Sequence, residues 1–568
     1  MHRVLQTQNY KSKTQPMRNA NESENELSRR RFLKTGLAGG VAVAARPFFA
    51  TSEKAIASVK RPVEVETIGL EEVTTEELAD WMNSGKHTGR SIAEAYIARI
   101  EAIDKQGPTL QSVIELNPDA LAIADALDNE RKQKKIRGPL HGIPILIKDN
   151  IDTADKMATT AGSLALVGAS PLKDSFLVQQ LRKAGAVILG KTNLSEWANI
   201  RSNHSTSGWS GRGGLTRNPY ALDRNTSGSS SGSGAAVAAN LCAVAVGTET
   251  DGSIVSPSSI NGIVGIKPTV GLISRTGVIP ISHSQDTAGP MARTVRDAAI
   301  LLGALAGIDP EDTATNDPAR KSFPDYTQFL DQKGVHGARI GVVRKYFGFH
   351  PAVDALMEEA LVALKKNGAV IVDPANIETI GKFDDTENTV LLYELKADMN
   401  TYLARRGSSA AVHSLKEIIE YNERNAKGEM PYFNQEIFLK AEAKGPLTDK
   451  EYLDALETNH RLSRKEGIDA VMDKFKLDAL VAPTDSAAWI TDLIDGDHFL
   501  GGSSTAAAVA GYPSITVPAG FVFGLPVGLS FFGRAWSEPV LLKIAYGYEH
   551  ATKVRKPPRF LPTADIGM

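Results

Sequence analysis

The sequence has little of three things that often decide what a protein does: cysteine, charge of one sign and long apolar runs. Cys242 is the one cysteine among 568 residues, which excludes an internal disulfide and a cysteine-rich metal site. Lys and Arg total 64 against 66 for Asp and Glu, so the formal net charge of −2 gives no sign of a nucleic-acid partner. No uninterrupted apolar run reaches transmembrane length, and we therefore expect no stable membrane insertion.

Apolar residues are abundant, at 42% of the chain, and are enough for a large core. Length alone weakly favours three or four domains. Cys242 lies inside an apolar stretch, where a small core residue is more common than a nucleophile.

Residues 1–57 have the pattern of a targeting segment. Ser28–Lys34 fits the twin-arginine motif, Gly36–Ala45 supplies a mild apolar region, and Ala55–Ala57 offers a small-residue cleavage site. A disordered basic tail is the plainer alternative. We expect a twin-arginine signal peptide, a mature protein that begins near Ser58, and a periplasmic or secreted location.

Strands and helices alternate through the remaining sequence. Capping-box patterns at Thr74 and Ser91 predict two helix starts. Apolar runs predict strands at 143–148, 186–189, 263–266, 339–343, 369–372, 480–484, 514–518 and 527–532. Helical patterns occupy 176–184, 294–305, 352–366, 539–551 and most of 375–470, whereas 193–224 is loop-like. The alternation predicts an α/β fold in which helices cover both faces of a sheet.

The strongest functional signal lies between residues 228 and 253. Gly228–Gly234 contains four serines, Ala235–Val246 is small, apolar and uncharged, and Gly247–Ser253 is a second glycine-containing segment. A flexible linker would lead into polar sequence, whereas this order predicts a buried helix that feeds a strand. Buried hydroxyls require hydrogen-bond partners, so the serines are expected to belong to a site.

Lys148 ends the apolar run Ile143–Ile147 upstream of these serines. A lysine buried there would have a lowered pKa and could act as a general base. On the sequence alone, it could equally reach solvent at the strand end or pair with Asp149. Ser253 closes a turn whose peptide N–H groups can receive an oxyanion, and Ser229 could relay its proton to Lys148.

Two other motifs match their patterns but lack the required context. Gly185–Thr192 fits the phosphate-loop pattern, but its central residues Ala-Val-Ile-Leu would themselves form a strand. Gly228–Gly232 fits the nucleophile elbow of α/β-hydrolases, which would make Ser230 the nucleophile of an esterase. The segment before it is a loop, and His283 precedes Asp286, the wrong order for that fold.

The chain from about residue 70 to 555 resembles the amidase signature family in the order of these segments. In that resemblance Lys148 is the catalytic lysine, Ser229 the bridging serine usually held by a cis peptide bond, and Ser253 the acyl-accepting serine. The remaining matches are peptide N–H groups of an oxyanion hole at Thr250, Asp251, Gly252 and Ser253, and supporting side chains at Ser230 and Asp286.

The resemblance implies one large domain over 58–568, with a central mixed β-sheet covered by helices on both faces. Its catalytic core would comprise about 70–305 and 475–555, with a more variable helical region at about 308–470. The activity implied is hydrolysis of a carboxamide through a Ser-Ser-Lys triad and an acyl-enzyme. No cofactor or metal is expected, the partner is a small-molecule or peptide amide substrate, and the oligomeric state is open.

Two departures from the family pattern bear on the substrate. Val255 stands where many members carry an arginine, which counts against a glutamine donor with its free α-carboxylate. Asp251 adds negative charge where glycine is frequent, and the combination resembles the branch that includes bacterial peptide amidases. The alternatives are a glutamine-hydrolysing amidotransferase-type subunit and a binding protein that keeps the fold without catalysis.

Overall fold

A mixed sheet of eleven strands runs through the computed structural model, which describes residues 68–407 and 410–565. The twin-arginine motif and the rest of residues 1–57 lie outside the described residues. Across the described residues, no helix combines the length and apolar composition needed to cross a bilayer.

The strands are, in chain order, β1 (Val113–Leu116), β2 (Pro144–Lys148), β3 (Val187–Thr192), β4 (Trp209–Ser210), β5 (Gly214–Leu215), β6 (Val244–Glu249), β7 (Val264–Lys267), β8 (Thr287–Ala292), β9 (Arg339–Val342), β10 (Val370–Val372), β11 (Ala479–Pro483), β12 (Ser514–Val522) and β13 (Leu525–Phe532). In the large sheet their order is β1-β3-β2-β6-β8-β7-β12-β13-β11-β9-β10, and β4 and β5 form a separate pair. The pairs β2–β3, β2–β6, β9–β10 and β9–β11 are parallel, and the other pairs are antiparallel.

The α-helices are α1 (Thr75–Asn83), α2 (Gly89–Arg99), α3 (Ala120–Lys132), α4 (Phe176–Lys183), α5 (Ser231–Ala238), α6 (Val255–Ile260), α7 (Val295–Leu305), α8 (Pro351–Lys366), α9 (Asp384–Ala404), α10 (Leu415–Arg424), α11 (Ala426–Glu429), α12 (Glu436–Glu442), α13 (Lys450–His460), α14 (Asp469–Phe475), α15 (Thr505–Ala510) and α16 (Glu538–Thr552). Short 3-10 turns and two π-helical segments, Ile100–Lys105 and Arg461–Ile468, extend this set.

Helices cover both faces of the sheet, as predicted. Every residue of the central strands β2, β6 and β8 is buried, which requires packing on both sides of the sheet. The long helical stretch of the second half, α9 to α14, confirms the helical character predicted for most of 375–470.

The second predicted helix start is displaced within its capping box. The helix begins at Gly89, and its N-cap is Thr88 rather than Ser91. The Thr88 hydroxyl accepts a hydrogen bond from the Ser91 N–H, and the Ser91 hydroxyl accepts one from the Thr88 N–H. Serine can take the third helical position of a capping box as well as the N-cap, which explains the displaced boundary.

The phosphate-loop match forms a strand, as its central residues predicted. Residues 187–192 are β3, paired in parallel with β2. Lys191 is fully buried, and its Nζ donates to the Ile151 carbonyl at 2.6 Å and to Thr159 Oγ1 at 2.8 Å. The Lys191 ammonium is therefore a buried group whose hydrogen bonds are made within the core of the protein.

Candidate active site

The site lies where two neighbouring parallel strands end. Lys148 is the last residue of β2 and Glu249 the last of β6, and Ile147 is in register with Val246. Because parallel strands present their carboxyl ends at the same edge of the sheet, the lysine and the turn that follows β6 meet there. Sequence reasoning placed both groups in one site, and the sheet order gives the reason.

Lys148 is fully buried and its ammonium lies among hydroxyl and carbonyl oxygens. Lys148 Nζ is 2.7 Å from Ser229 Oγ and 3.1 Å from Ser230 Oγ. It also contacts the Oγ1 and the carbonyl oxygen of Thr248, at 2.9 and 3.3 Å. Neither alternative for this lysine holds, since its side chain does not reach solvent and Asp149 pairs instead with Arg212 at 3.3 Å.

Burial has a direct effect on the acid–base behaviour of Lys148. Loss of hydration lowers the pKa of Lys148 to about 7, although the negative charges of Asp286 and Glu249 oppose the shift. Its four oxygen neighbours are neutral and supply hydrogen bonds without a counter-charge. The position suits a lysine that is partly neutral near pH 7 and can accept a proton.

Ser229 and Ser230 sit at the entrance to α5, each with a different set of partners. The Gly228–Ser229 peptide bond is cis, the conformation that the family resemblance implied. The Ser230 hydroxyl donates to the Thr248 carbonyl at 3.0 Å, and its N–H donates to the Ser253 carbonyl at 3.1 Å. Ser230 therefore connects the serine loop to the turn after β6.

Ser253 lies in that turn, directly after Gly252, whose φ of +82° is the left-handed conformation glycine adopts readily. Ser253 is partly exposed, and its Oγ has no hydrogen-bond partner within the described chain. The peptide N–H groups of Gly252 and Ser253 likewise reach no acceptor among residues 68–407 and 410–565. Lys148 therefore contacts Ser229 directly. Ser253 is connected to these residues only through its backbone, by the hydrogen bond that its carbonyl accepts from the Ser230 N–H.

The side chains of Asp286 and Gln285 hold Thr250 at the start of the turn. Asp286 accepts a hydrogen bond from Thr250 Oγ1 at 2.6 Å and is itself held by the N–H groups of Ile281 and Ser282, at 2.8 and 2.9 Å. Burial raises the pKa of Asp286 to about 6. Gln285 Nε2 lies 3.4 Å from the Thr250 carbonyl. The supporting position predicted for Asp286 is therefore beside the turn that carries Ser253.

Sequence reasoning missed three residues of this site: Thr248, Glu249 and Gln285. Thr248 contacts Lys148, and Glu249 Oε2 accepts from the N–H groups of Ile254 and Val255 at the start of α6, at 2.7 and 3.0 Å. Both residues precede the predicted turn directly, so their place in the motif was the available signal. Gln285 is adjacent to Asp286 and could have been found in the same way.

The rival arrangement with Ser230 as nucleophile is not assembled. His283 Nδ1 lies 2.9 Å from an Asp398 carboxylate oxygen, and His283 Nε2 lies 3.3 Å from Glu394 Oε1. Burial lowers the pKa of His283, but the hydrogen bond to Asp398 and the charge of Glu394 raise it by more, so that the pKa is raised overall. Both ring nitrogens face carboxylates rather than Ser230 or Asp286, so this histidine has the surroundings of an ion pair.

A cavity of about 370 Å³ opens beside Ser253, the predicted nucleophile, and Ser229, the predicted bridging serine. Gly228 and Gly252, the residues directly before Ser229 and Ser253, form part of its wall. The aromatic side chains of its described wall are Tyr346, Phe383 and Phe499.

Comparison with known proteins places this arrangement in context. The sequence profile of the Amidase family matches residues 91–542. A probable amidase of Arabidopsis thaliana is 45% identical over 505 residues, covering 87% of this chain and 93% of the relative. The X-ray structure of a native peptide amidase from Stenotrophomonas maltophilia is 52% identical with a TM-score of 0.82, covering 87% of this chain and 99% of that one. A glutamyl-tRNA(Gln) amidotransferase subunit of Moorella thermoacetica is 35% identical over 497 residues, covering 85% of this chain and 97% of the relative.

Proposed function

This chain belongs to the amidase signature family, and we propose that it hydrolyses the C-terminal carboxamide of short peptides through Lys148, Ser229 and Ser253. It is an enzyme that cleaves the C–N bond of an amide to a carboxylate and ammonia. The observation that carries the assignment of the site is the 2.7 Å hydrogen bond between the buried Lys148 ammonium and Ser229.

In the proposed first step, Ser253 Oγ attacks the carbonyl carbon of the amide. The Ser253 hydroxyl proton passes to Ser229 Oγ while the Ser229 proton passes to neutral Lys148. The net result is the transfer of one proton from Ser253 to Lys148. A pKa of about 7 makes a substantial fraction of Lys148 neutral at physiological pH. A serine hydroxyl is a weak nucleophile and needs such a base.

The tetrahedral oxyanion would be received by the peptide N–H groups of residues 250–253. The hydrogen bonds that Thr250 makes with Asp286 and Gln285 fix the turn that presents these groups, and preorganised donors of this kind are worth several kcal/mol to a transition state. The protonated relay then gives its proton to the departing nitrogen. Ammonia leaves, and water hydrolyses the acyl-enzyme with the relay again accepting a proton.

The preference for peptide amides rests on similarity and on one side chain. The similarity to a solved peptide amidase spans nearly the whole of that protein. Val255 is buried at 1% exposure two residues after Ser253 and supplies no cation for an α-carboxylate. These observations favour an amide of a peptide over free glutamine, the substrate of the amidotransferase alternative.

Ammonia release from a panel of amides tests the proposed substrate. We expect release from an uncharged-side-chain dipeptide amide to exceed release from benzamide, a fatty amide and free glutamine. Release from glutamine alone would replace the proposal with an amidotransferase-type activity. The Ser253→Ala variant is the blank, and its thermal unfolding curve verifies that it is folded.

We also propose that the enzyme is exported by the twin-arginine route, on the strength of the Ser28–Lys34 motif. Cell fractionation of a bacterial host that expresses the full chain tests this proposal. Replacing Arg29 and Arg30 together by lysine should keep the enzyme in the cytoplasm, whereas the matched control Arg31→Lys should not. Equal export of the two variants would contradict the route.

A further inference from the structure

Lys267 is a fully buried lysine that the proposed reaction does not use. It is the last residue of β7, and Glu249 is the last residue of β6. Because β6 and β7 each pair antiparallel with β8, these two strands run in the same direction and end at the same edge of the sheet. Lys267 therefore lies at the edge where Lys148 and the turn that carries Ser253 are found.

The Lys267 ammonium makes few contacts for a buried charge. Its Nζ donates one hydrogen bond within the described chain, to the Pro268 carbonyl at 3.2 Å, and no described carboxylate pairs with it directly. Burial lowers the pKa of Lys267 to about 8, and the charges of three carboxylates oppose the shift. These carboxylates belong to Glu249, Glu538 and Asp251. Lys267 therefore acts on them through space, and the low dielectric of the interior strengthens that action.

Glu249 holds the first turn of α6, which begins directly after the predicted nucleophile. Its Oε2 accepts hydrogen bonds from the N–H groups of Ile254 and Val255, at 2.7 and 3.0 Å. Its Oε1 is buried and has no hydrogen-bond partner among the described residues. Hydrogen bonds to an ionised acceptor are roughly twice as strong as those to a neutral one. The charge of Glu249 therefore decides how firmly the backbone after Ser253 is held.

Burial opposes the ionised form of Glu249, and Lys267 favours it. Burial and the charge of Asp251 raise the pKa of Glu249, whereas the charge of Lys267 and the two N–H groups lower it. Glu249 in turn raises the pKa values of Asp485 and Lys148, so these groups are coupled to it as well. Because Lys148 is neutral in the proposed reacting form, Lys267 is the cation that then remains to favour the Glu249 carboxylate.

Glu538 shares the same ammonium but holds a different part of the chain. It is the first residue of α16, is 1% exposed, and accepts a hydrogen bond from the Thr269 N–H at 2.7 Å. Burial raises the pKa of Glu538, and the charge of Lys267 opposes that shift. Since Thr269 follows β7 rather than β6, Glu538 supplies an internal comparison for the effect of Lys267 on Glu249.

We propose that Lys267 is a positioning residue for the reaction: its charge keeps Glu249 ionised, and ionised Glu249 holds the backbone from which Ser253 projects. The inference rests on the proposed function, because this backbone matters for catalysis only if Ser253 is the nucleophile. Lys267 makes no hydrogen bond to the proposed triad in the described part of the chain. Loss of its charge should therefore lower kcat and leave KM nearly unchanged.

A double-mutant cycle separates action through Glu249 from any other role of Lys267. We expect Lys267→Met and Glu249→Gln each to lower kcat for a dipeptide amide about 10-fold at pH 7, because each replaces charge-assisted hydrogen bonds by neutral ones. Lys267→Met added to Glu249→Gln should change kcat by less than about 2-fold. Losses that multiply in the double variant would overturn the proposal. Lys267→Arg keeps the charge and should retain most of the kcat.

The pH dependence of kcat gives a readout that a merely structural role would not move. Without Lys267 the pKa of Glu249 is higher, so Lys267→Met should regain kcat between pH 7 and 9 as Glu249 ionises unaided. Glu249→Gln cannot ionise and should show no such recovery. Lys148 does not account for it, since loss of the Glu249 charge lowers the pKa of Lys148. An equal loss at every pH in Lys267→Met would contradict the assignment.

Glu538→Gln is the matched control for the loss of a carboxylate that shares Lys267. It leaves the hydrogen bonds of Glu249 to α6 intact, and its kcat should stay within about 2-fold of wild type. Equal losses of kcat in Glu538→Gln and Glu249→Gln would show that the turn after β6 is not the part of the chain through which Lys267 acts.

Hydrogen exchange tests the held backbone without requiring any turnover. The amides of Ile254 and Val255, followed by mass spectrometry on a peptide that contains them, should exchange about 10-fold faster in Lys267→Met than in wild type at pH 7. Unchanged exchange would overturn the inference even if the wild type releases ammonia. Faster exchange in a protein whose wild type releases no ammonia would reject the proposed function and retain the action of Lys267 on Glu249.

Removal of one partner from a buried charge pair is often strongly destabilising, so thermal unfolding curves accompany each variant. If Lys267→Met does not fold, the comparison moves to Glu249→Gln with and without Lys267→Met, where Glu249 no longer carries a buried charge. The two proteins should then have the same kcat and the same exchange at Ile254 and Val255. A further loss of kcat in the folded double variant would overturn the proposal.

Discussion

At the scale of single residues, the chemistry depends on a lysine that has lost its hydration. Lys148 has hydroxyl and carbonyl neighbours and no directly contacting carboxylate among the described residues, which leaves burial as the dominant influence on its pKa. The sequence predicted this lysine and its serines only when the serine cluster and the resemblance to the amidase signature family were taken together, because a lysine at the end of an apolar strand could equally have reached solvent or paired with Asp149. The open Oγ of Ser253 could not be predicted, since it depends on the backbone of the turn.

The pH dependence of kcat/KM follows from the pKa of Lys148. The active form is neutral, so with a neutral amide kcat/KM should rise about tenfold per unit as pH increases toward 7 and level off above it. A stopped assay of ammonia release between pH 5 and 9 measures this profile. Activity that falls across this rise, or stays flat, would exclude neutral Lys148 as the base, and Lys148→Met should be inactive at every pH.

At the scale of elements, the position of the turn that carries Ser253 depends on the neighbouring strand β8. The strand β8 (Thr287–Ala292), which follows Asp286, was not predicted from sequence because it contains Gly289 and Pro290, both poor strand formers. A Cβ at Gly289 would overlap the carbonyl oxygen of Ile266, so close packing against β7 requires glycine there. Pairing with β6 then sets Asp286 beside Thr250. Tertiary contacts override the local propensity at this strand.

Loss of the hydrogen bond between Thr250 and Asp286 should weaken catalysis without unfolding the protein. Thr250→Val keeps the shape of the side chain and removes its donor, which leaves the Asp286 carboxyl short of one partner, and we expect kcat to fall about 10-fold. Thr250→Ser retains the hydroxyl and should preserve most of the activity. Steady-state kinetics with both variants makes the comparison, and equal rates would show that this bond does not position the turn.

At the scale of the whole molecule, strands from distant parts of the sequence form one sheet. The β7–β12 pairing joins residues separated by about half the chain, with Ile266 in register with Ile515. The weak expectation of several domains from length is therefore wrong, because the late strands extend the first sheet rather than forming their own. Alternating strands and helices predicted the layers correctly, but the order of strands follows from long-range pairing that local patterns do not encode.

A buried ion pair connects the loop before the serine cluster to the helical region. Arg201 and Glu196 are both fully buried at the side chain, with Nε and Oε2 2.7 Å apart, and Arg201 Nη1 donates to the Phe433 carbonyl at 3.2 Å. Arg201→Met should lower the free energy of unfolding by about 3–5 kcal/mol, because it leaves the acid without its partner. Urea unfolding measures the loss, and Arg217→Met at an exposed position of the same loop should be within about 0.5 kcal/mol of wild type.

The identity of the nucleophile is tested most directly by the kcat for ammonia release from one dipeptide amide, measured with Ser253→Ala and Ser230→Ala. We expect Ser253→Ala to release nothing above the blank, because Ser253 carries the attacking Oγ. Ser230→Ala should retain measurable turnover, because Ser230 only supports Lys148 and the turn. Turnover that survives in folded Ser253→Ala and disappears in Ser230→Ala would contradict the proposed relay and make Ser230 the nucleophile.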